Sequence, residues 1–232
     1  MKPALGWAIT LITCVFLIAY LLVAAKSWLL SPQSNPLPIQ STPQPSGMSE
    51  SNVLLESLEV KGRAPKTGYS RDQFGQMWSD DTNAEFGHNG CDTRNDILRR
   101  DLVETTLKPN TRGCVVLTGL LHDPYTATDI QFTRGRAVQI DHVVALGNAW
   151  VTGAQKLDDE KRREFVNDPL NLLAVSGPVN VQKSDSDAAT WLPPNKAFRC
   201  EYVSKQLQVK AKYGLWLTPP EKDAIQRVLH DC

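Results

Sequence analysis

Asp141 and His142 stand together inside a strand-like apolar run, Val138 to Val144, where two further apolar residues would be expected. Asn171 interrupts a second apolar run, Leu170 to Val175, and Asn180 and Lys183 follow it at intervals of nine and twelve residues. These side chains can converge on a metal and a base. Asp141 is a hard oxygen donor and Asn180 offers an amide oxygen, ligands that magnesium accepts while keeping water at its other positions. His142, with an ordinary pKa of about 6.5, is a neutral base near physiological pH and can take a proton from water. Lys183 lies three residues beyond Asn180 on one helical face, where it could meet a phosphate, and Asp187 lies four further on as a supporting or alternative ligand. Taken singly, each has an ordinary reading: a satisfied polar pair for Asp141 and His142, a turn residue for Asn171, a helix cap for Asn180, and a solvated acidic helix end for Asp185 and Asp187.

Convergence makes demands on the chain. Neighbours on a regular strand point to opposite faces, so Asp141 and His142 serve one site only if the strand ends or bulges there. Asn171 would then bond the backbone near His142 and hold the loop. The surrounding pattern supplies a strand, loop, strand, helix unit. Ala137 to Val144 is a strand, helices follow near 145–153 and 158–167, Leu170 to Val175 is a strand, and a helix begins near Val179. Upstream, Ser70 to Gln73 has capping-box spacing for a helix through Phe74, Met77 and Trp78, and Asp92 or Thr93 can cap a second helix. Cys114 to Thr118 and Ile130 to Thr133 read as strands joined by a turn-bearing connection. Downstream, Asn195 caps a helix ending at Gly214, and Thr218-Pro-Pro-Glu221 is a capping box with proline at the first helical position. The expected class is α+β, mostly helical around a small antiparallel sheet.

The chain has 232 residues and 22% charged residues, with Lys plus Arg equal to Asp plus Glu at 25 each, which removes the strongly basic signature of a non-specific nucleic-acid binder. From Ala4 to Ala25 no residue is charged, and such a run spans roughly 33 Å as a helix, enough to cross a bilayer. Residues 1–30 therefore read as a signal anchor or transmembrane helix, or a signal peptide cleaved near Ala25. Residues 31–66, rich in Pro, Ser and Gln, read as a flexible linker in which Val53 to Leu55 and Leu58 form at most a turn of helix. The folded domain is then 67–232, with 9 Lys and 11 Arg against 22 acidic residues.

Cys14 lies in the membrane-like run, leaving Cys91, Cys114, Cys200 and Cys232, which allow three pairings. Cys91 with Cys114 and Cys200 with Cys232 each bracket one structural unit, and no Cys-x-x-Cys spacing suggests zinc. An anchor, a Pro-rich tether and an even cysteine count place the domain outside the cytoplasm, single-pass on the membrane or secreted.

Asp141-His142 at a strand end, Asn171 on the next strand and Asn180 on the following helix resemble the HNH, or ββα-metal, endonuclease motif in its His-Asn-Asn form. Four segments extend the likeness to most of the domain: Asn89 to Asp96, Ile140 to Leu146, Asn167 to Val175, and Thr190 to Ala197. They resemble the secreted actinobacterial HNH family related to the C-terminal domain of GmrSD restriction enzymes. The resemblance implies metal-dependent hydrolysis of a phosphodiester, DNA before RNA, with His142 as general base, Asn171 and Lys183 supporting it, and one divalent ion, Mg2+ or Mn2+, on Asp141 and Asn180. Arg134 and Arg136 flank the motif as candidate phosphate contacts. The other reading is an extracytoplasmic binding module that keeps the fold without catalysis.

Overall fold

A computed structural model describes residues 50–232; the membrane-like run and most of the Pro-rich stretch lie outside them. Among the described residues, seven α-helices and five strands follow in the order α1 (Glu50–Ser57), α2 (Thr93–Asp101), β1 (Leu102–Leu107), β2 (Val116–Asp123), β3 (Thr128–Phe132), β4 (Val138–His142), α3 (Leu146–Val151), α4 (Asp159–Asn167), β5 (Leu172–Ser176), α5 (Gly177–Lys183), α6 (Arg199–Lys212) and α7 (Pro219–His230). The class is α+β, as expected. In place of one small sheet there are two antiparallel ones, β1-β2-β3 and β4-β5. No described helix is long and apolar enough to cross a membrane.

Caps explain where several elements begin. Asp92 accepts the backbone N–H of Asn95 and starts α2, Asp158 accepts that of Lys161 and starts α4, and Thr218 with Glu221 forms the expected reciprocal box at α7. Ser70 departs from expectation. Its side chain caps nothing, and the segment it precedes is one 3-10 turn, Arg71–Phe74, ended by Gly75 at φ 71°. Phe74, fully buried between Trp150 and Phe165, anchors that turn by packing, where propensity alone would not sustain a helix. Strand β1 was hidden because five of its six residues are solvent-exposed and give no apolar signal.

The N-terminal boundary also shifts. Lys66 does not end a linker, because residues from Glu50 onward pack on the domain. Leu55 on α1 is 2% exposed in the core with Tyr202, Leu217 and Leu229. Val60 bridges Leu217, Ala64 N–H donates to Val151, and Trp216 Nε1 donates to the Gly62 carbonyl. Polar composition misled here, since extended chain that pairs its backbone with a neighbour needs few apolar side chains. Both expected disulfides are present, Cys91–Cys114 and Cys200–Cys232. The first ties the approach to α2 to the approach to β2, and the second ties the start of α6 to Cys232, two residues beyond α7.

Candidate active site

Strand β4 pairs with β5 so that Asp141 lies opposite Leu173 and His142 opposite Leu172. The ladder stops there, as a shared site requires. Just past the strand, Val143 N–H donates to the Asn171 carbonyl at 2.8 Å and Val144 N–H to Asn171 Oδ1 at 2.8 Å, while Asn171 Nδ2 donates back to Val144. Asn171 is fully buried and sits in the 3-10 turn Pro169–Asn171, one residue before β5 rather than inside it. It acts as a clamp on the loop after His142. At the other end of the strand, Gly177 N–H donates to the Ala137 carbonyl, and a Cβ on Gly177 would come within 2.1 Å of the Arg136 carbonyl. Only glycine lets α5 start so close to β4, which sets Asn180 beside Gln139.

Asp141, His142 and Asn180 line one cleft of about 310 Å³, together with Arg71, Gln139, Ala145, Val181 and Asp185. His142 is 6% exposed, its ring stacks on Trp78 at a centroid distance of 5.8 Å, and its Nε2 lies 2.9 Å from the Val166 carbonyl oxygen. A carbonyl can only accept, so Nε2 carries the proton and Nδ1 keeps its lone pair. Burial depresses the imidazole pKa to about 4, and the Val166 carbonyl offsets this only in part; the charges of Lys183 and Arg71 add to the depression. The ring is neutral at physiological pH, with one basic nitrogen.

Asp141 is 5% exposed, with Oδ1 2.9 Å from Lys183 Nζ and Oδ2 2.6 Å from the Tyr125 hydroxyl. Burial pushes its carboxyl up, and the ammonium and phenol pull it back toward the charged form. Burial and the Asp141 charge keep the Tyr125 phenol protonated, so it donates. Asn180 Nδ2 donates to Gln139 Oε1 at 2.9 Å, and among the described residues Asn180 Oδ1 takes no hydrogen bond.

This donor set fits a hard cation. The Asp141 carboxylate has about four lone-pair directions, of which two are taken, and the Asn180 amide oxygen is held by its own nitrogen. Among the described residues no three His, Cys, Asp or Glu side chains converge. An ion here would therefore rest on two protein oxygens and keep water elsewhere, the manner of Mg2+.

Other sequence candidates fall elsewhere. Lys183 is fully buried and donates to Asp141 and to the His142 carbonyl at 2.8 Å, so it braces the strand end and is not available to a phosphate. The cause is that α5 faces β4 across its own buried side. That helix ends at Lys183, so Asp187 is no extension of its face. Asp187 is 1% exposed and bonds Arg63, Thr190 and the Ala189 N–H, neither a ligand at the cleft nor a solvated helix end. Asp185 lines the cleft and accepts from Gly147 N–H and Lys66. Arg134 and Arg136 are exposed in the turn between β3 and β4, outside the cleft lining. Reading the motif missed Trp78, Tyr125, Gln139, the Val166 carbonyl and Arg71. Only Gln139, two residues before Asp141 on the same strand face, had a spacing signal.

A search of curated proteins finds an "Uncharacterized secreted protein" of Arthroderma benhamiae, 33% identical over 201 residues that make up 86% of this chain and 93% of the relative. No solved structure matches. The family model described as GmrSD restriction endonucleases, C-terminal domain, matches residues 92–228, which hold β4, β5, α5 and every side chain of the Asp141, His142, Asn171 and Asn180 constellation. With more than half its length inside that match, the chain belongs to the family of GmrSD restriction endonuclease C-terminal domains, an endonuclease-related family.

Proposed function

We propose that this protein is an extracytoplasmic, metal-dependent endonuclease of HNH type that hydrolyses phosphodiesters, with DNA as the preferred substrate. The observation that carries the reading is the state of His142: neutral, with Nε2 committed to Val166 and Nδ1 free, in the same cleft as the Asp141 carboxylate and the unbonded Asn180 amide oxygen. His142 takes a proton from water as the water oxygen attacks phosphorus. The bond from phosphorus to the 3′ oxygen breaks, the departing oxygen takes a proton from solvent water, His142 releases its proton to solvent, and the products are a 5′-phosphate and a 3′-hydroxyl. Trp78 and Asn171 hold the imidazole and its loop, so the base meets water without reorganising. A bound divalent ion would supply positive charge against the phosphoryl oxygens and the departing 3′ oxygen. Lys183 favours the charged form of Asp141 and holds it in place.

A location outside the cytoplasm is supported by the two disulfides and by the word "secreted" in the relative's name. The uncharged run Ala4 to Ala25 supplies either an anchor or a cleaved leader. The test is nicking of supercoiled plasmid by the purified chain with Mg2+ or Mn2+ and with EDTA. Metal-dependent nicking that falls about 10²–10⁴-fold in His142→Ala is expected. Undiminished cleavage by His142→Ala would refute the assigned base, and no cleavage of DNA or RNA with any divalent ion would favour a binding module.

A further inference from the structure

A phosphodiester needs a cation to meet it, and the two sources that sequence spacing offered are unavailable or displaced: Lys183 is buried under Asp141, and Arg134 and Arg136 stand outside the cleft. We propose that Arg71, from the segment before the family-matched region, is the side chain that binds the scissile phosphate. The proposal rests on the nuclease reading above and deepens it. Among the residues lining the cleft with Asp141, His142 and Asn180, Arg71 is the sole cation. Its side chain is exposed and, among the described residues, forms no ion pair; its one side-chain partner is the Met77 sulfur at 3.6 Å, a weak acceptor. A guanidinium in that condition keeps its donor fork for an anionic ligand, and phosphate matches that fork bidentately.

The backbone that carries Arg71 is well held, so its position is not that of a loose surface loop. Phe74 is buried in the core, and Arg162 Nε donates to the Gln73 carbonyl at 2.7 Å. Asn167 Nδ2 donates to the Gln76 carbonyl while Asn167 Oδ1 accepts from Ser79 N–H. Between these anchors Trp78 lies against the His142 ring. One short segment thus contributes both the wall behind the base and the cation at the cleft. The segment begins upstream of residue 92, where the family match starts, so the site is completed by chain that the match leaves out.

The experiment compares the full chain with Arg71→Ala and Arg71→Lys in single-turnover plasmid nicking, over salt from about 50 to about 200 mM. Arg71→Ala should cut the rate about 10²–10³-fold, as expected for one lost donor to developing charge. Its plot of log rate against log salt should flatten by about one. Arg71→Lys should recover part of the rate and most of the salt slope, because a charge remains while the fork is lost. Thermal melts should coincide, since the side chain is exposed. If wild type cleaves and Arg71→Ala matches it in rate and slope, Arg71 is overturned while the nuclease reading stands. An unchanged slope with Arg71→Lys as impaired as Arg71→Ala would show a merely structural role and also overturn it. A wild-type chain that cleaves nothing overturns both.

Discussion

Two buried lysines in this protein make nearly the same bonds and serve different ends. Lys183 donates to Asp141 and to the His142 carbonyl; Lys210 donates to Glu221 at 3.0 Å and to the Trp216 carbonyl at 3.0 Å. All four side chains are almost wholly buried. Around Lys210 the surroundings are closed: Glu221 is the third residue of α7 and closes its capping box by accepting from Thr218 N–H. Burial works against both charges there, lowering the Lys210 pKa and raising that of Glu221, and their mutual attraction opposes both shifts. Around Lys183 one side is open. Asp141 borders the cleft, next to a histidine with a free nitrogen and an asparagine with a free oxygen. An ion pair sealed on every side is a fastener between α6 and α7, whereas an ion pair with one face toward solvent also aims a carboxylate.

The sharpest way to break the comparison is to remove each lysine as methionine. Each change strands a buried carboxylate and should cost about 3–5 kcal/mol in denaturant melts. Only Lys183→Met should also lose plasmid nicking per folded molecule, because Asp141 loses its fixed position. Equal specific activity in the two variants would erase the distinction.

Next in size are the staples. Opening Cys200–Cys232 as Cys200→Ser with Cys232→Ser should lower stability by on the order of 3 kcal/mol, read as an earlier thermal midpoint, with nicking by the folded protein unchanged. The bond ties the α6 start to the chain end, beside neither lysine pair, so a loss of activity at fixed folded fraction would show coupling across α6 to the cleft.

The smallest effect is in pH. His142 titrates near 4 in the folded protein, below its ordinary value of about 6.5. A base acts only when unprotonated, so the ascending limb of kcat/KM should centre near 4 instead of 6.5. The sign for stability follows from the same displacement: the unfolded chain takes up this proton first, so His142 weakens the fold as pH falls from about 6.5 to about 4 and adds no further loss below. A limb near 6.5 would mean that solvent reaches the ring more freely than its packing on Trp78 implies.

Much of the site was legible because its chemistry is carried by polar residues placed in apolar strands, a conflict visible without coordinates. Asp141 and His142 were found in this way and, with Asn180 from the helix that follows, do share a cleft. Asn171 was read as a loop clamp and bonds the loop as one. Lys183 was misread since helical spacing gives a face and not what covers that face. Trp78, Tyr125 and Arg71 were invisible as partners, being 16 to 71 residues from the groups they serve. Elements with caps or strong apolar faces were likewise legible, while β1 and the packed stretch from Glu50 to Lys66 were not, because their contacts run through backbone and exposed strand faces.

By itself the chain's order of residues determined the α+β class, the paired cysteines, the strand ends and the grouping of Asp141, His142 and Asn180. Those follow from local pattern: capping, periodicity and polar groups out of place. Tertiary structure alone decided which nitrogen of His142 is free, which lysines are buried and which arginine reaches the cleft. Each of these depends on a partner distant in sequence, and the energies involved, desolvation and charge pairing, exist only once the chain has closed around them.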